Sequence, residues 1–149
     1  MTSDQAQQES AIQLETPIYV FPKGLPGFDQ LKDFSLEEHN DVFSLLSAVE
    51  QPAVSFITIN PFDFIPDYEF VLPDDTISEL KIGNREQVAV RCIVTWHSER
   101  TKISVNLLAP IIFNIQHLMG KQIVLQNSAY TTKHPLWTET TTGDEGGDS

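Results

Sequence analysis

The chain has a single cysteine, Cys92, so no disulfide can form within it. It is also short of positive charge: nine Lys and Arg stand against 21 Asp and Glu, a formal charge of −12. A domain that grips nucleic acid directly needs a basic footprint to displace phosphate counterions, and this balance is the opposite one. Apolar runs are short, and none reaches the roughly 20 residues of a membrane-spanning helix. The first 13 residues are rich in Gln and Ser and lack the basic start and apolar stretch of an export signal. The expectation is a protein of the reducing cytoplasm that binds neither nucleic acid nor membrane.

Groups that carry chemistry are sparse as well. His39, His97, His117 and His134 are isolated, and none has a Cys or His at ligand spacing, so no metal site is expected. No G-x-S-x-G occurs to hold a nucleophilic serine. Gly24-Leu25-Pro26-Gly27 lacks the glycine count, the lysine–hydroxyl pair and the following helix of a phosphate loop, and reads as a turn. The carboxylates are scattered, with no pair whose surroundings clearly differ. Cys92 lies in VAVRCIVTW, where alternation suits a small buried hydrophobe better than a nucleophile. The reading is a protein that is not an enzyme and has no cofactor.

What is present is a period of two. Ile18 to Phe21 forms a first strand that stops at Pro22, and Lys23 to Phe28 (KGLPGF) turns before Phe28 returns to the core. Strands follow at Phe34–Glu37, Val42–Leu46 and Ala53–Ile59, with Glu37 to Asp41 turning between the first two. Asp74–Leu80 is the best helix, with acids at its positive end, Ile77 and Leu80 on one face, and Gly83-Asn84 to close it. Val88–Trp96 is a long strand, and Ile103–Leu108 begins its hairpin partner. Ile111–Ile115 resumes after Pro110, His117–Lys121 turns around Gly120, and Gln122–Leu125 is the last clear strand. The sum is mostly β: a compact antiparallel β-barrel-like single domain, or a sandwich, with one or two short helices.

The ends differ from the middle. Residues 1–13 read as a flexible segment, 14–137 as the β domain, and 138–149 (TETTTGDEGGDS) as a disordered acidic tail without an apolar residue. Seven of the 21 acids lie in residues 1–15 or in the tail, leaving 14 against nine bases in the domain. A moderately acidic fold with more acidic ends favours a basic protein partner, chiefly through association rate and specificity.

One stretch stands out, Phe56 to Phe70 (FITINPFDFIPDYEF). Beyond Asn60 it alternates rings (Phe62, Phe64, Tyr68, Phe70) with acids (Asp63, Asp67, Glu69), and Pro61 and Pro66 fix its backbone. Proline cannot donate to a sheet ladder, so this is not an interior strand throughout. Aromatic anchors with a charged rim suit a protein-binding face, and rings capping a barrel end are the other reading.

Gly24 to Phe28, Leu45-Leu46-Ser47, Ile59 to Phe62 with Pro66 to Glu69, Val105 to Ile111 (VNLLAPI), Gln122 and Tyr130 follow an order that closely resembles the flagellar assembly factor FliW family over about Ile18 to Leu136. The acidic tail lies outside that pattern. The resemblance implies a small β-barrel-like protein that is not an enzyme and that binds flagellin in the cytoplasm. It further implies binding to CsrA, a dimeric RNA-binding repressor of flagellin translation, antagonised allosterically away from its RNA surface, so that translation tracks secretion. A β-barrel that holds a small ligand and has no role in CsrA control is the alternative. The expected partner surface is Asn60, Pro61, Phe62, Phe64, Asp67, Tyr68 and Glu69, joined by Asn106, Pro110 and Ile111. In it Phe62, Phe64 and Ile111 are apolar anchors, and Asp67 and Glu69 pair with partner Lys or Arg. Asn60 and Asn106 bond a partner backbone, while Pro61 and Pro110 hold the shape. Phe62 and Phe64 plugging the core, and Tyr68 donating a buried hydroxyl, stay open as structural alternatives.

Overall fold

The structure, a computed structural model, describes residues 16–126 and 128–137. The expected flexible segment 1–13 and acidic tail 138–149 lie outside the described residues. The elements run β1 (Ile18–Val20), β2 (Asp33–Glu38), β3 (Phe43–Ala48), β4 (Ser55–Ile59), α1 (Asp74–Glu79), β5 (Val88–Thr95), β6 (Ser104–Val105), β7 (Ile111–Asn114), β8 (Met119–Gln122) and β9 (His134–Pro135). Seven strands close into a barrel in the order β1-β2-β3-β4-β5-β7-β8 and back to β1, while β6 and β9 continue from β5 as a flap. Six of the seven joins are antiparallel, and β1 with β8 is parallel. Parity requires this, because strand direction cannot alternate all the way round a ring with an odd number of members. The expected antiparallel barrel therefore carries one parallel join.

Alternation along each strand sorts side chains between barrel interior and outer face. The interior is packed by Tyr19, Phe21, Phe34, Leu36, Leu46 and Phe113 among others. Tyr19 meets Phe113 and Phe21 meets Phe34 edge-on, with ring centroids 4.8 and 5.1 Å apart. Each such buried ring stabilises the fold by about 1.5–3 kcal/mol through the surface it removes from water. The interior is not wholly apolar. Arg91 lies opposite Ile111 on the inward face of β5, with its guanidinium 3.7 Å from the Glu38 carboxylate at the barrel rim.

Half of the outer face is covered as well. Ile59, Cys92 and Val94 are buried beneath the chain that follows β4, together with the β6 and β9 region. Val90, Ile112 and Ile123 are buried with Leu80, which follows α1. Thus β4, β5 and β7 are buried on both faces, which is why their sequences run almost without interruption in apolar residues.

Several local expectations shift. Gly24 and Gly27 turn with φ of +66° and +84°, but Leu25 is the residue that enters the core, while Phe28 stays 37% exposed. Helix α1 is closed by Lys81 at φ +56° rather than by Gly83-Asn84. The β7–β8 hairpin turns at residues 115–118, before Gly120, with Leu118 at φ +55°. Gly120 is a strand residue: a Cβ there would lie 2.5 Å from the Phe21 ring, so it is glycine for close approach, not for turning. The ladder continues past β8, because Ile123 and Leu125 amides donate to Pro110 and Leu108 carbonyls. The expected strand at Gln122–Leu125 is the tail of β8.

Candidate protein-binding surface

Strand β4 delivers the chain to Asn60, whose side-chain oxygen accepts from the Phe62 amide at 3.0 Å and starts a 3-10 turn at Pro61–Asp63. Proline suits the first helical position because its missing N–H would have no partner there. The turn lifts Phe62 to the surface, 41% exposed, and the chain then returns through Pro66 to Tyr68. Tyr68 is buried, and its hydroxyl donates to the Leu107 carbonyl at 2.7 Å. Its ring meets Phe62, Phe70 and Tyr130, with centroids 5.7, 5.6 and 4.7 Å away. Burial pushes its phenol well above the ordinary value of 10, so it remains a donor at any physiological pH. The Tyr130 hydroxyl in turn accepts from the Glu69 amide at 3.1 Å.

The second expected segment meets the first at that Tyr68–Leu107 bond. Asn106 accepts from the Leu108 and Ala109 amides at 3.1 and 3.0 Å, folding residues 106–110 into a bulge between β6 and β7. Pro110 is buried, and its carbonyl accepts from Ile123.

The expected surface therefore divides. Phe62, Asp67 and Glu69 are exposed, and Phe64 is half-buried with its ring edge-on to Trp137 at 6.4 Å. Pro61, Tyr68, Pro110 and Ile111 are buried. Ile111 is fully inside the barrel, so it anchors the chain's own core and reaches no partner. Asn60 and Asn106 spend their side-chain oxygens on their own turns, which leaves their NH2 groups as the donors for a partner backbone. Cys92 lies under Tyr68, and burial pushes its thiol up to about 12, in keeping with a packing role.

Exposed neighbours that the sequence did not single out extend the surface. Val71 is 88% and Val124 is 58% exposed, and they follow Phe70 and Ile123, which point inward. The chain at 69–72 runs as a ridge between two clefts, one of about 490 Å³ that reaches Phe62 and Arg85 and one of about 630 Å³ that reaches Val124 and Tyr130. Round the barrel, Trp96 is 55% exposed beside Phe43, Leu45 and Ile57, above a third cleft of about 410 Å³. Among the described residues, no group of three or more His, Cys, Asp or Glu is placed to share a metal ion. Nor, among the described residues, is any helix long and apolar enough to cross a membrane.

Residues 4–136 match the family described as "FliW protein". The chain is 44% identical over 128 residues to "Flagellar assembly factor FliW" of Clostridium novyi (strain NT), covering 84% of this chain and 89% of that one. It is 40% identical over 121 residues to the protein of the same description from Anoxybacillus flavithermus (strain DSM 21510 / WK1), covering 80% and 83%. A solved structure, "Crystal structure of the flagellar assembly factor FliW", superposes with a TM-score of 0.80 at 38% identity, over 83% of this chain and 87% of the other. By sequence and by fold, the chain belongs to the FliW family of flagellar assembly factors.

Proposed function

We propose that this protein binds flagellin in the cytoplasm and, when flagellin is absent, binds the translational repressor CsrA and antagonises it allosterically. Flagellin translation is thereby coupled to flagellin secretion. FliW family membership carries this reading. The exposed surface of Phe62, Asp63, Asp67 and Glu69 supports it, since it joins an aromatic anchor to a carboxylate rim. The scheme is a linked equilibrium in which two proteins compete for one limited partner, and free flagellin sets the share left for CsrA. The protein acts by contact and performs no catalysis. Its acidity steers it toward a basic RNA-binding protein and away from RNA itself.

Interior binding of a small ligand, the alternative, meets a barrel already filled by Phe21, Phe34, Leu46 and Phe113. Calorimetric titration of the protein with CsrA, alone and with flagellin bound, tests the reading. CsrA binding that flagellin abolishes is the expected result. Binding to neither protein overturns it.

A further inference from the structure

The ridge at 69–72 alternates exposed and inward side chains as a strand does: Glu69 and Val71 point out, Phe70 and Leu72 point in. Yet the amides of Phe70, Val71 and Leu72 have no hydrogen-bond partner among the described residues. Across the 630 Å³ cleft lies the tail of β8, whose Ile123 and Leu125 amides are taken by the bulge behind them. The amide of Val124, between them, points the other way and has no partner among the described residues. Main-chain amides left open on both walls of a cleft make a receptor for one more strand, because each unpaired N–H is a docking point for an extended backbone.

The charges select the occupant. Glu69 lines the cleft, Asp74 follows its wall residue Pro73, and no Lys or Arg lines it. The chain's own ends are poor candidates: residues 1–15 carry three acids and 138–149 carry four, with no base in either. A second copy of so acidic a chain is disfavoured for the same reason.

We infer that the cleft between 69–73 on one side and 123–126 with 128–130 on the other binds an extended, basic segment of a partner protein by strand addition, with apolar residues at alternate positions against Val71 and Val124. This deepens the partner reading above and rests on it for biological meaning, but the binding itself is tested without CsrA or flagellin.

The probe is a nine-residue peptide of alternating Lys and Val, with two controls: the same peptide N-methylated at alternate residues, and its Glu–Val counterpart. Amide hydrogen exchange on the full chain reads the result. With the Lys–Val peptide, the Val71 and Val124 amides are expected to slow, and N-methylation is expected to weaken binding by about tenfold or more, the worth of one or two net hydrogen bonds. The Glu–Val peptide is expected not to bind. Unchanged exchange at Val124 and Val71, or binding indifferent to N-methylation, would overturn the inference. Glu69→Lys provides the check from the protein side, since it leaves the main chain intact and is expected to abolish the preference for Lys over Glu. Because no natural partner enters the assay, its outcome is separable from that of the CsrA titration.

Discussion

Tyr68 supports the exposed surface from below: one hydroxyl joins the 61–70 segment to the 106–110 bulge, 39 residues along the chain. Tyr68→Phe keeps the ring and leaves the buried Leu107 carbonyl without that donor. A loss of about 1–2 kcal/mol is expected in urea unfolding, the cost of an unmade buried bond. Asp67, by contrast, is exposed. Asp67→Lys is expected to fold with an unchanged melting temperature yet to bind CsrA more weakly, mainly through slower association in stopped flow. Equal binding would remove Asp67 from the interface. At this scale the sequence was legible in part. Asp67 and Glu69 are exposed, as a charged rim requires, and Phe62, left open between surface anchor and core plug, is exposed as well. Ile111 was misplaced, since a residue after proline in VNLLAPI gives no sign of which sheet face it takes. Asn60 and Asn106 were legible as hydrogen-bonding groups, but the use of their oxygens in their own turns was not, since hydrogen-bonding capacity alone does not reveal a local partner.

Among the elements, β8 and α1 best show what holds neighbours together. Gly120→Ala would press a methyl group into the Phe21 ring, and about 1–3 kcal/mol of destabilisation is expected in thermal unfolding, because the ring is locked by Phe34 and Phe113. Helix α1 is tied down through Glu79, which meets Lys121 at 2.6 Å and Lys23 at 2.8 Å. These hydrogen bonds, Lys121 foremost, hold its carboxyl below the ordinary value of 4.5. A depressed folded-state value stabilises above the unfolded pKa and is lost as pH falls through the folded one. Glu79→Gln is therefore expected to be slightly less stable than the parent at pH 7, by under about 1 kcal/mol because solvent screens this half-buried carboxylate, and equally stable in acid. Measuring both proteins by chemical denaturation at the two pH values checks this. The β-branched, alternating strands were legible to within two residues or so, as at β5. The β7–β8 turn was placed around Gly120 rather than at 115–118 because glycine signals a turn and a close approach equally well. Strand β9, two residues holding a histidine and a proline, has no period at all.

For the whole molecule, the charge of −12 makes association with a basic protein sensitive to salt. Raising ionic strength from about 0.05 to 0.5 M is expected to slow CsrA association several-fold and to change dissociation little, since screening acts on approach more than on packed contacts. Stopped-flow rates at the two salts would show it. A mostly β domain, barrel-like or sandwich, was legible from strand number and the period of two, but its outer layer was not. Nothing in a linear pattern shows that the chain after β4 folds back over the strands it has just left. Nor does it show how lightly the ring is joined. Strands β1–β4 form one antiparallel meander and β5, β7 and β8 another; they meet through two residue pairs between β4 and β5 and through a single pair between β1 and β8. In its ladders the wall is two cupped halves held at their rims, with Phe113 of one packed on Tyr19 of the other inside. The amides of Ile59 and Cys92, which face each other across the β4–β5 rim, are then expected to exchange by parting of the halves, at a free energy below that of complete unfolding. Because the 61–72 ridge springs from that same rim at Ile59, a partner seated on it would act as a latch, and its grip would be felt in how rarely the barrel gapes.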